Sequence, residues 1–234
     1  MGLPLYLAMT ASEILHAQQL PEHCAYMACH FSPYGTGLSN FPEQLPESSM
    51  LILNDRTPAQ GHDPQLIADQ MGQLAEQFHV SAVLLDLQRP DNQETSAIVQ
   101  TILNTLSCPV GVSEHYAKEH VCPVFLSPPP LHCLLSDHIA PWQNREIWLE
   151  AALEGETITV TESGSSYSPL PPAQDLLPCH IDTRLHCRYR MTVSESHTRF
   201  SILRTWDDLH QLLREAQNLF VTRAIGLYQE LKTQ

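Results

Sequence analysis

Three carboxylates in this 234-residue chain stand directly after short apolar runs: Asp86 in SAVLLDLQ, Glu114 in CPVGVSE and Glu150 in EIWLEAA. Carboxylates that face one another across a site can divide the work of general acid and general base. Other run ends supply Thr10 and Glu13; His30, Ser32 and Tyr34; Asn54, Asp55 and Arg56; Gln88 and Arg89; Ser113 and Tyr116; and Tyr228, Gln229 and Glu230. Carboxylates, amides and aromatic rings suit a polyhydroxylated ligand, because they offer acceptors, donors and flat apolar faces. The ligand-binding set read from the sequence is Tyr34, Asn54, Asp86, Gln88, Glu114, Glu150 and Tyr228. If the protein is an enzyme, Asp86, Glu114 and Glu150 are the catalytic candidates.

Other chemistries find little support. CHIDTRLHC gathers Cys179, His180, His186 and Cys187, but spacings of one and six residues do not reproduce a zinc module, so no metal and no cofactor is assigned. There is no G-x-S-x-G elbow, and SPYGTGLSN lacks the lysine of a phosphate-binding loop. A formal charge of −14 with only 12 Lys and Arg argues against nucleic acid and against an anionic membrane surface. Seven cysteines cannot all pair within the chain, and Cys24, Cys29, Cys108 and Cys122 lie in or beside apolar runs, as expected of reduced thiols in a cytoplasm. MGLPLYLAMTAS has no basic leader and is too short to span a bilayer; Tyr6 stands where a myristoylation motif needs Ser or Thr. A cytoplasmic location is the expectation.

The elements that must carry these groups are legible as eight runs: 3–10, 24–31, 49–55, 81–88, 108–114, 122–127, 146–152 and 222–230. Continuous apolar runs of this length suit strands buried on both faces of a parallel sheet. The spacing predicts a helix after Asp63, with Pro64 at its first position and Ile67, Met71, Leu74 and Phe78 on one face. A second helix is expected over 92–106, and a third begins at a Thr205/Asp208 capping box. Residues 127–145 are proline-rich and irregular. Strand–helix alternation with eight strands predicts an α/β fold, a single (β/α)8 TIM-type barrel over 1–234, imperfect, with a β-hairpin insertion at 153–204 before the last strand. Within the insertion, ETITVTESG is expected to pair with WLEAALEG across Glu154-Gly155. HCRYRMTV and TRFSILRT should form a hairpin turning at Ser194–His197, and PLPPAQDLLP should be a loop.

The fourth run, SAVLLDLQRP, resembles the fourth strand of glycoside hydrolase family 18, the chitinase-like barrels, whose motif is D-x-x-D-x-D-x-E. Ser81 and Leu84 stand at the first two acidic positions, Asp86 matches the third, and Gln88 replaces the terminal Glu. The last run, AIGLYQE, is similar to the family's closing strand, with Tyr228 near its usual Trp. The resemblance implies a barrel in which the substrate's N-acetyl group attacks the anomeric carbon, the neighbouring Asp orients that amide, and the terminal Glu protonates the leaving oxygen. Gln88 carries an amide that can donate a hydrogen bond but cannot release that proton.

Three functional expectations follow. The first is a degenerate glycosidase-like barrel that binds a carbohydrate or similar small polar ligand at the C-terminal mouth of its strands. The second is an active hydrolase using Asp86, Glu114 and Glu150. The third is a protein-interaction scaffold acting through 153–204, with the partner unidentified.

Overall fold

The structure, a computed structural model, describes residues 2–90, 92–171, 176 and 178–232. In chain order the first strands are β1 (Leu5–Met9), β2 (Cys24–Phe31), β3 (Leu38–Ser39), β4 (Met50–Asn54) and β5 (Ala82–Asp86). Next come β6 (Val110–Ser113), β7 (Val124–Leu126) and β8 (Ile147–Glu150). The insertion holds β9 (Gly155–Thr161), β10 (Gly164–Pro169), β11 (His180–Asp182), β12 (Cys187–Val193) and β13 (Thr198–Leu203), and β14 (Val221–Leu227) ends the series. The helices are α1 (Ala11–His16), α2 (Pro64–Gln77), α3 (Gln93–Thr105), α4 (Glu114–Ala117), α5 (Leu135–Ile139), α6 (Trp206–Asn218) and α7 (Tyr228–Leu231).

Strands β1, β2, β4, β5, β6, β7, β8 and β14 pair in parallel with their neighbours, and β1 bonds to both β2 and β14, so the ring closes. These are the eight apolar runs, in order. The barrel is imperfect, as expected: only the four-residue α4 lies between β6 and β7. By contrast α2, α3 and α6 are full helices capped by Asp63, Asn92 and the Thr205/Asp208 box.

Side chains alternate along each strand, which divides the apolar residues into two sets. Tyr6, Ala8, Ala25, Met50, Ile52, Ala82, Leu84, Phe125, Trp148 and Ile225 fill the inside of the ring. Met9, Leu51, Leu53, Val83, Leu85, Val110 and Val112 face outward into a larger layer shared with Ile67, Met71, Ile98, Ile102, Leu209 and Leu212 of the helices. Trp148 has no exposed surface and occupies the space left by Gly111, where an added Cβ would lie 2.2 Å from the indole Cε3.

The insertion is a five-stranded antiparallel sheet in the order β10-β9-β13-β12-β11. Its β12–β13 hairpin turns at Ser194–His197 as expected, with Ser194 N–H donating to the His197 carbonyl at 2.9 Å. The pairing expected between 148–155 and 156–164 does not form. Ile147–Glu150 belongs to the barrel as β8, and β9 pairs instead with β10 and β13. The reason is competition: β8 is enclosed by β7 and β14, so it has no free edge for a hairpin partner. The loop expected at PLPPAQDLLP lies partly outside the described residues. Arg204, with no exposed side-chain surface, fixes the sheet to the barrel. Its guanidinium donates to Glu154 Oε2 at 3.0 Å, to the Pro129 carbonyl at 3.1 Å and to the His186 carbonyl at 3.4 Å. Among the described residues no helix is long and apolar enough to cross a membrane.

The contact between Gly111 and Trp148 yields a stability prediction. Gly111→Ala should lower the unfolding free energy by about 1–3 kcal/mol, as overpacking of a filled core does. Denaturant titration checks this, and adding Trp148→Phe should recover part of the loss.

Candidate functional site

Alternation also decides which polar residues reach the mouth. In β5, Ala82 and Leu84 point into the ring, so Asp86 follows them inward; Asn54 follows Met50 and Ile52, and Glu150 follows Trp148. Thr10 stands in the same phase after Tyr6 and Ala8. These groups converge on a cavity of about 320 Å³ at the C-terminal ends of the strands, lined by Thr10, Asn54, Arg56, Asp86 and Glu150 above a floor of Ala8, Met27, Ile52, Leu84, Phe125 and Ile225. An apolar floor beneath a few convergent polar groups is the usual form of a small-molecule site.

Of the seven residues read as ligand-binding, the structure brings Asn54, Asp86 and Glu150 together in this cavity. Tyr34, Gln88, Glu114 and Tyr228 lie outside its lining. Glu114 is one residue past the inward-facing phase of β6; it opens α4 and is exposed. Tyr228 falls in the outward phase of β14, packs against the layer between barrel and helices, and lies under Lys232 Nζ at 5.6 Å. Tyr34 sits in the turn between β2 and β3 and is 85% exposed.

Gln88 is held at the rim by a clamp between two strand ends. Buried Asp55 accepts the backbone N–H of Gln88 at 3.1 Å and that of Arg89 at 2.7 Å. The Arg89 guanidinium returns to the carbonyls of Asp55 and Arg56 at 2.8 and 3.0 Å. The turn after β5 is thus fixed, and the Gln88 side-chain amide donates to Asp86 Oδ1. Asn54 is similarly committed: its Nδ2 donates to the Met27 carbonyl at 2.8 Å, where β2 slips register against β4, and its Oδ1 accepts Arg56 N–H at 3.1 Å. Irregular strand geometry next to a cavity needs such a partner for its unpaired carbonyl.

The electrostatics of the mouth are set by burial of acid groups. Burial pushes the Asp86 carboxyl up, and Asp55 adds to this, while the hydrogen bond from Gln88 and nearby His115 oppose it. Glu150 is pushed up to about 7, first by burial and then by the charges of Asp86, Glu154 and Glu230. An acid in this range can hold a proton near neutral pH and still release it. Among the described residues no group of three or more His, Cys, Asp or Glu could hold a metal ion. Cys179, His180, His186 and Cys187 accordingly form no such centre, and His186 instead meets Glu215 at 2.6 Å.

The ligand-binding set read from the sequence omits the apolar floor and the rim residues Thr10 and Arg56. The signal for the floor is present in the runs themselves, since every second residue counted back from Asn54, Asp86 and Glu150 is part of it or of the barrel filling. Arg56 carries no such signal, because it lies beyond the strand end, where alternation stops.

No family profile matches the sequence, and no curated protein matches it. Solved structures do share its fold. A glycoside hydrolase family 18 N-acetylglucosaminidase from Paenibacillus barengoltzii superimposes with a TM-score of 0.63 at 8% identity, over 96% of this chain and 94% of that one. The spore cortex-lytic enzyme SleL of Bacillus cereus gives 0.59 at 10% identity, over 96% of this chain and 70% of the other. A chitinase from Chromobacterium violaceum gives 0.55 at 7%, over 96% and 93%. The resemblance seen around Asp86 therefore extends to the whole barrel as a likeness of fold.

The raised Glu150 acid has a stability consequence with a definite sign. A carboxyl whose folded pKa exceeds its ordinary 4.5 stabilises the fold below that value and loses the contribution as pH rises toward 7. Glu150→Gln should therefore raise the melting temperature at pH 8 and leave it unchanged at pH 4. Thermal unfolding at both pH values reads this directly, and equal profiles for variant and parent would refute it.

Proposed function

We propose that the barrel mouth binds a carbohydrate and does not hydrolyse it by the route the family resemblance implies. The observation that carries this reading is the cavity itself: a polar collar of Asn54, Asp86 and Glu150 over an apolar floor, with the Gln88 amide tied to Asp86 at the place of the family's acid. A sugar ring presents hydroxyls at its edge and C–H groups on its faces, which such a site matches. The neighbours in fold are named N-acetylglucosaminidase, spore cortex-lytic enzyme and chitinase, which supports a sugar as ligand. In the family route the residue at Gln88 must give a proton to the leaving oxygen, and a carboxamide has none to give at neutral pH.

A second reading is favoured by one specific observation. Glu150 holds a proton near neutrality and shares the cavity with Asp86, so this pair could act as acid and base in a hydrolase of different geometry.

The two readings separate on Gln88→Glu. A binding protein should show no release of reducing ends from β-1,4-linked N-acetylglucosamine oligomers, and the substitution should introduce slow hydrolysis. If the unaltered protein already turns these oligomers over and Glu150→Gln abolishes it, the second reading replaces the first. Calorimetric titration of the unaltered protein with the same oligomers checks binding.

A further inference from the structure

The hydrogen-bonding capacity left free at the mouth is lopsided. Thr10 is spent on its capping box: its hydroxyl donates to Glu13 Oε2 at 2.9 Å and accepts the Glu13 N–H at 3.3 Å. Asn54 spends one N–H on Met27 and its oxygen on Arg56 N–H. Asp86 has one oxygen engaged by Gln88. The Glu150 carboxylate has no hydrogen-bond partner among the described residues. Over the apolar floor the second Asp86 oxygen and both Glu150 oxygens face a ligand unengaged, beside Arg56 of the rim, and a carboxylate once ionised only accepts.

The charges around the pair have the same sign. Glu154 and Glu230 face Glu150 from the segment after β8 and from α7, and Asp55 faces Asp86 from the end of β4. Glu154 has its own cation in Arg204, and Glu230 accepts the Leu153 backbone N–H. His115 lies near Asp86, and Arg56, on the exposed rim, makes no ion pair among the described residues. Two carboxylates converging over an apolar floor, neither of them in an ion pair among the described residues, fit a positively charged donor better than a neutral one. A neutral hydroxyl adds a hydrogen bond, whereas an ammonium adds both donors and charge. An acetamido group carries no charge to answer that of the two acids.

We infer that the mouth selects sugars bearing a protonated primary amine over their N-acetylated or uncharged counterparts. This rests on the carbohydrate reading above and names the class of sugar within it. Binding an ammonium beside Glu150 favours the ionised carboxylate, so near neutral pH the complex should release a proton.

The test is calorimetric titration with three tetrasaccharides of the same β-1,4 linkage: glucosamine, N-acetylglucosamine and glucose, at about pH 7, where the amines are still largely charged and Glu150 is partly ionised. The glucosamine tetramer should bind at least about tenfold tighter than either of the others. Asp86→Asn and Glu150→Gln should each shrink that preference without lowering the melting temperature at this pH. The measured heat near pH 7 should vary with the buffer's ionisation enthalpy as a proton is released. Equal or tighter binding of the N-acetylated tetramer overturns the inference and leaves the carbohydrate reading standing. Binding of none of the three overturns that reading as well. Spermine binding as tightly as the glucosamine tetramer would show an amine site rather than a sugar site, and also overturns the inference.

Discussion

Closure of the ring at the β1–β14 seam gives each barrel strand two faces and no free edge apart from the short β3 strand added alongside β2. One face must fill a narrow interior and the other must meet the helices. The period of two then continues past the last apolar residue of each strand and fixes the direction of the next polar one. Asp86 and Glu150 share a cavity because Leu84 and Trp148 share an interior. Trp148 in turn needs the missing side chain at Gly111, so the packing of the barrel centre and the composition of its mouth follow from one constraint.

Placing acid groups at the end of such an interior has an electrostatic consequence. The inner set of the barrel is apolar almost throughout, so carboxylates at its upper limit lose much of their hydration. The surrounding acids deepen the effect at Glu150, while Glu154 beside it is matched by fully buried Arg204. That guanidinium also binds two backbone carbonyls of separate segments, so it serves the docking of the antiparallel sheet and is not free to neutralise the cavity. Arg89 is occupied in the same manner by the carbonyls of Asp55 and Arg56. Arg204 and Arg89 are thus spent on holding backbone in place and do not neutralise the acids of the cavity.

Much of the fold was readable as eight apolar runs, because strands buried on both faces must be apolar without interruption. The helices after Asp63 and Thr205 were readable because capping is a local interaction between residues two or three apart, and the helix within 92–106 was readable from the spacing of its apolar residues. The misplaced hairpin at 148–164 shows where local pattern fails. Its two segments are adjacent and strand-like, but β8 had already been claimed on both sides by strands distant in sequence.

For the site, sequence alone determined the number of barrel strands, the acids at their ends and the amide at position 88. It contained, through alternation, the reason why Glu114 and Tyr228 turn away from the cavity, since each lies one residue out of phase. Only the tertiary structure decided that the Gln88 amide would bond to Asp86, because the turn that aims it is set by Asp55, thirty-three residues earlier for the Gln88 N–H. It also decided the protonation of Glu150, which depends on how much water is excluded and which acids stand nearby. Chemical identity and phase belong to the chain and persist in any conformation. Convergence and desolvation exist once distant strands are held side by side.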